Sequence, residues 1–178
     1  MNYISILPDS LTGRHLEPEV HIVDRYMQLV KGCLTMTNLM LEGGKEIDLL
    51  AFNPLIGEKY HIEVRVATGK GFRLRIIDTQ TSKGIKHKRG LNTLNAIKFT
   101  HSVVTAKIQQ IFGTSEYKKV LVVWDVENNE VIEQAKAVYD IEVWKISDVL
   151  SEMMRKIGTK SYRDDALRIV QLISKMKA

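Results

Sequence analysis

The sequence predicts an α/β domain built on a mixed sheet, and three observations carry that expectation. Two apolar runs, 46–52 and 60–67, flank "NPLIGEK", where Asn53, Pro54 and Gly57 supply turn chemistry, so the runs fold back as an antiparallel hairpin. Later, the runs 118–124 and 141–145 are separated by a segment of helical periodicity, and two strands joined through a helix lie parallel. Helical patterns before and after the hairpin supply layers to cover both faces.

Taken in order, residues 1–15 read as irregular, with Pro8, Asp9, Ser10 and Gly13 as turn formers. A helix is predicted over 17–31: Pro18 suits its first turn, Val20, Val23, Met27 and Val30 share a face, and Gly32 ends it. "CLTMTNLML" at 33–41 reads as a strand, and Gly43–Gly44 as a turn into the hairpin. A third strand is expected at 72–78, "FRLRIID", followed by the basic loop "TSKGIKHKRG". One helix is predicted from an Asn92 cap to Phe112, with Leu94, Ile97, Val104, Ile108 and Ile111 inward. The last third reads as strand 118–124, helix 129–138, strand 141–145, helix 147–157 broken by Gly158, and a final helix over 162–176. A chain of 178 residues is expected to form one domain, its helix and hairpin core over about 13–80 and its β-α-β unit and helices over about 117–178.

Composition narrows the function classes. With 44% hydrophobic and 26% charged residues the chain reads as a soluble globular protein. The longest apolar run, "VLVVW", falls far short of the roughly 18 residues of a membrane span, so no membrane partner is expected. The opening "MNYISILPDS" lacks a basic segment and a cleavable apolar run, and one cysteine, Cys33, allows no internal disulfide; a cytoplasmic location follows as the expectation. Scattered histidines and one cysteine show no zinc-ligand spacing. Net charge is +5, but Val64–Lys98 holds nine Lys or Arg against Asp78 alone, a segment charge of +8. A basic segment of that kind suits a polyanion such as nucleic acid.

Two carboxylates interrupt the hairpin's apolar runs. Strand alternation puts His61, Glu63 and Arg65 on one side, opposite Ile62, Val64 and Val66, and lets Asp48 and Glu63 converge across the hairpin. Paired carboxylates in apolar surroundings repel each other and bear a desolvation cost, which a hard divalent cation relieves.

The pieces "GRHLEPEVHIVDRYMQLVKG", "GGKEIDLLAF" and "YHIEVRV" together resemble the PD-(D/E)XK nuclease superfamily, and "GGKEIDLLA…HIEV" is similar to the archaeal Holliday-junction resolvases. The resemblance covers residues 13–68 and implies the restriction-endonuclease-like fold, a three-layer α/β/α arrangement around a central mixed β-sheet. It implies a metal-dependent endonuclease that hydrolyses DNA phosphodiester bonds, with branched or structured DNA as substrate and a homodimer as assembly. Asp48, Glu63 and the backbone carbonyl of Val64 would hold Mg2+ or Mn2+, and Glu19 would be the helix acid, with Glu17 its rival. The departure is Arg65, where the pattern has lysine. A guanidinium stays protonated and cannot act as a base, so either the metal alone activates water or a lysine elsewhere serves, Lys59 and Lys70 being nearest in sequence. A domain that binds nucleic acid without cutting it is the alternative reading, and a scaffold for an acidic protein partner a third.

Lys70, Arg73, Lys83, Lys86, Lys88 and Arg89 are the candidates for contacts to the nucleic-acid backbone, and Gln80 for an approach to the scissile phosphate. His61 shares the side of Glu63, although a surface histidine is the simpler reading. Lys98, His101 and Lys107 fall on the following helix, where a solvated polar face accounts for them equally well. Asp125, after "VLVVW", is expected to start a turn or helix.

Overall fold

The structure, a computed structural model, describes residues 17–66, 73–77, 79–80, 87–88, 90–158 and 162–176, with the backbone alone at 79–80 and 87–88. Helix α1 spans Pro18–Leu29, with Pro18 in its first turn, where a missing N–H costs nothing. Strands β1 (Leu34–Leu41), β2 (Lys45–Phe52) and β3 (Lys59–Arg65) follow as an antiparallel meander. A 3₁₀ turn at Glu42–Gly44 joins the first two. Asn53 organises the β2–β3 turn as its residue type predicts: its Oδ1 accepts from Leu55 N at 2.9 Å, and its Nδ2 donates to the Lys31 carbonyl at 2.6 Å.

Strands β7 (Lys118–Val123) and β9 (Ile141–Lys145) add in parallel to β3, and α4 (Asn129–Tyr139) crosses between them. The result is one five-stranded mixed sheet in the order β1-β2-β3-β7-β9. Alternation along the strands sorts the core into two sides. Ile62, Val64, Val120 and Val122 pack on α1, α5 (Ile146–Lys156) and α6 (Asp165–Met176). Leu121, Val123 and Ile141 pack on Leu91, Leu94, Phe99 and α4, while Ile47 and Leu50 meet Val104 and Ile108. This is the expected three-layer α/β/α architecture. Each fully buried Val, Leu or Ile contributes about 1.5–3 kcal/mol, so β2 and β3, most of whose residues are buried, are firmly anchored.

Four elements differ locally from the expected ones. Among the described residues 73–77 of the strand predicted at 72–78, β4 covers Arg73–Leu74 and pairs in parallel over two rungs with β8 (Asp125–Val126). Asp125 therefore lies in a strand instead of starting a helix. Across the segment expected to be a loop at 81–90, β5 (Thr79–Gln80), just before it, pairs antiparallel with β6 (His87–Lys88), within it. The helix predicted over 92–112 is in three pieces: α2 (Leu91–Leu94), a π-helical turn at Asn95–Phe99, and α3 (Ser102–Phe112). His101 breaks the run with extended backbone, and its ring nitrogen caps α3 by accepting from Val103 N. The final helix begins at Asp165, because Asp164 caps it by accepting from Leu167 N at 3.1 Å.

Candidate active site

The ladder between β2 and β3 ends at Leu49↔Ile62. One rung further, a side chain takes over from the backbone: Asp48 Oδ2 accepts the Val64 N–H at 2.8 Å. On its other edge β2 is also irregular at this level. The register with β1 passes from Thr37↔Leu49 to Leu39↔Ile47, and Asn38, opposite Asp48, takes a left-handed φ of 51°. Asp48 therefore sits where regular pairing is interrupted on both sides.

Glu63 joins it from β3. Both carboxylates are buried, Asp48 at 6% exposure and Glu63 at 0%. Burial pushes both carboxyls above their ordinary range; the Glu63 charge adds to the rise of Asp48, while nearby cations pull both back. The principal cation comes from outside the hairpin. Lys98, on the π-helical turn, brings Nζ to 2.7 Å from Glu63 Oε2 and 3.2 Å from Asp48 Oδ1, and donates to the Glu46 carbonyl at 3.0 Å. Arg65 closes the other side at 3.7 Å from Asp48 Oδ2 and 3.6 Å from Glu63 Oε2, with Nη1 donating to the Val64 carbonyl at 3.2 Å. Two cations thus face two anions at the end of β3.

His61 is not a surface residue. It is fully buried, its Nε2 is 3.0 Å from Glu63 Oε1, and its ring packs on Phe99 with centroids 4.8 Å apart. Burial lowers its pKa to about 3, so the ring is neutral. With Glu63 ionised, Nε2 carries the proton and fixes one carboxylate oxygen, leaving Oε2 to face Lys98 and Arg65.

The remaining predicted residues divide. Glu19 lies in the first turn of α1, and among the described residues it forms no hydrogen bond or ion pair with Asp48, Glu63 or Lys98. Arg73 is exposed and pairs with Asp125 at 3.5 Å. Gln80 and Lys88 lie on the β5–β6 pair, where only backbone is described. Lys70, Lys83, Lys86 and Arg89 lie outside the described residues. Lys59 begins β3, and its ammonium lies over the Phe52 ring, away from the carboxylates.

Lys98 is the residue that sequence reasoning undervalued. A signal was present, because it follows the buried Leu94 by four positions and so falls on that helix's inward face. The π-helical turn, which is not readable from periodicity, delivers it to the carboxylates.

The donor set suits a hard divalent cation in chemistry: two carboxylates, a backbone carbonyl, and a buried Glu63 Oε2 with no aligned hydrogen-bond donor. Lys98 and Arg65 compete for the same oxygens. Among the described residues, no three His, Cys, Asp or Glu are arranged to hold a metal on their own, so a metal here would draw on the Val64 carbonyl, water or substrate oxygens. No helix among the described residues is long and apolar enough to cross a membrane. No protein-family model, curated protein or solved structure matches this chain.

Proposed function

We propose that this chain is a metal-dependent nuclease of the PD-(D/E)XK kind that acts on DNA, with Lys98 serving where the hairpin motif carries Arg65. The observation that carries the reading is the Lys98 ammonium lying against both buried carboxylates, 2.7 Å from Glu63 and 3.2 Å from Asp48. Asp48, Glu63 and the Val64 carbonyl would hold Mg2+ or Mn2+. That ion would polarise the phosphodiester and lower the pKa of a bound water. The chain's own groups do the rest. His61 orients Glu63. Asp48 is fixed by the Val64 N–H. Lys98 offers a compact ammonium able to donate hydrogen bonds to a water or to a phosphate oxygen, and Arg65 offers a second fixed positive charge to a phosphate oxygen.

The basic segment over 64–98 supports DNA as partner. The buried free thiol of Cys33 fits a reducing, cytoplasmic setting. Exposed Ile169, Leu172 and Met176 on α6 are the surface we assign to homodimer formation, which sedimentation of an α6 Leu172→Lys variant tests.

A second reading has its own support. Lys98 and Arg65 already balance both carboxylates, as expected of a nuclease fold that binds DNA without cutting it. Incubation with branched, single-stranded and duplex DNA in Mg2+ or Mn2+ separates the two. Cleavage by the wild type, lost in Asp48→Asn and Lys98→Met, supports the enzyme. Salt-sensitive binding with no cleavage in either metal supports the silent binder.

A further inference from the structure

The other face of the sheet carries a second cleft, of about 570 Å3, bordered by α1, the β2–β3 turn, β9 and α5. Its wall is aromatic. Tyr26 meets Trp144 edge to face with centroids 5.8 Å apart, and Tyr60 lies 6.5 Å from the same indole. Each ring has its polar tip on a carboxylate. Tyr26 Oη donates to Glu152 at 2.7 Å, Tyr60 Oη donates to Glu58, and Trp144 Nε1 donates to Glu142 at 3.4 Å. Asp148 adds a fourth acid to the lining.

Two of the chain's own ammonium groups already lie on these rings. Lys31 Nζ is 5.4 Å from the Tyr26 centroid and 5.7 Å from that of Trp144, and Lys118 Nζ is 5.5 Å from that of Tyr60. They reveal what the cleft attracts: an ammonium over a ring face with a carboxylate beside it. Their hold differs. Lys118 is paired with Glu58 at 2.5 Å, whereas Lys31 is 3.8 Å from Glu152 with a side chain 36% exposed. In the cleft lining Glu58, Glu142, Asp148 and Glu152 outnumber Lys31 and Lys118, so the lining carries −2 within a chain of +5, with Lys136 also within electrostatic reach of Glu142.

We propose that this cleft binds a small linear polyamine. One ammonium takes the place of Lys31 over Tyr26 and Trp144, and another reaches Glu142 and Asp148. Lys31 is then an internal competitor that moves into solvent when the ligand enters. A compact divalent ion fits less well, because among the described residues no three of these acids converge to hold a metal, and the ring faces supply no oxygen ligands. The site stands apart from the carboxylate cluster on the opposite face and does not depend on the nuclease reading.

Calorimetric titration with spermidine and with 1,4-diaminobutane, at constant ionic strength, tests this. Wild type should show one saturable site. Lys31→Ala should tighten it about tenfold by removing the competitor. Glu142→Gln, a change at the half-exposed rim that leaves the core intact, should weaken it several-fold. In a Trp124→Phe background, Trp144 emission should follow the same isotherm, which locates the ligand. Three results would each overturn the proposal: no saturable binding in wild type and Lys31→Ala alike, affinity unaffected by both Lys31→Ala and Glu142→Gln, or an equal response of Trp144 emission to Mg2+ at matched charge.

Discussion

At the scale of residues, the site turns on a lysine that the hairpin does not contain. Removing Lys98 leaves two buried carboxylates with Arg65 as their remaining counter-charge. Breaking a buried pair from one side costs about 3–5 kcal/mol, and Arg65 should hold the loss in Lys98→Met toward the lower end. If the carboxylates hold metal, Mg2+ should restore more stability to Lys98→Met than to wild type in urea titrations, while cleavage falls by about 10²-fold or more. Equal metal effects on the two proteins would remove the metal site from the reading. Asp48 does two things, so its variants should separate. Asp48→Asn keeps an acceptor for the Val64 N–H and should lose cleavage with little loss of fold. Asp48→Ala leaves that N–H unpaired and should lose about 1–3 kcal/mol as well. Both carboxylates are buried, so truncating either should cost stability as well as activity.

The same cluster gives a pH prediction. Burial lowers His61 to about 3, against an ordinary 6.5. The unfolded chain therefore binds this proton first, and the stability associated with neutral His61 is whole above 6.5 and declines as pH falls toward 3. Between pH 6.5 and 5 its share is about 2 kcal/mol. Asp48 and Glu63 act in the opposite sense, because their raised values make the folded state take up protons first as acid is added. His61→Gln retains a donor for Glu63 and does not titrate, so its stability should be flatter over that interval. Parallel pH profiles for wild type and variant would contradict the assignment.

At the scale of elements, two irregularities build the site. Asn38 adopts φ 51° in mid-strand opposite Asp48, a conformation in which short amide side chains are tolerated and β-branched ones are strained. Asn38→Val should lower stability by about 1–2 kcal/mol, and Asn38→Gly should be close to neutral; a denaturation midpoint for each decides. A stable Asn38→Val would mean that β1 straightens without cost. The second irregularity is the π-helical turn at Asn95–Phe99, which carries both Lys98 and the Phe99 ring against His61. The i, i+3, i+4 pattern of 92–112 showed one helix because the apolar positions continue through the break. Hydrophobic spacing records which residues are buried; it does not record where the backbone loosens its hydrogen-bond ring.

At the scale of the whole molecule, the basic charge is concentrated between the hairpin and α3. If it holds DNA, replacing Lys86, Lys88 and Arg89 together by Gln should weaken binding to every sequence alike. It should also flatten the slope of log affinity against log salt by about 3. An unchanged slope would remove that segment from the contact surface.

The sequence by itself determined the mixed α/β fold, the hairpin with Asp48 and Glu63 on a common side, and the parallel β7–α4–β9 unit. Each follows from short-range spacing: period-two burial, turn residues between runs, and a helix between two apolar strands. Only the tertiary structure decided who meets the carboxylates. Lys98 is 50 residues from Asp48, and His61 becomes an interior residue where the rings of Phe99 and Tyr117 pack on it. Contacts of that range depend on how one layer packs on another, which no local pattern encodes.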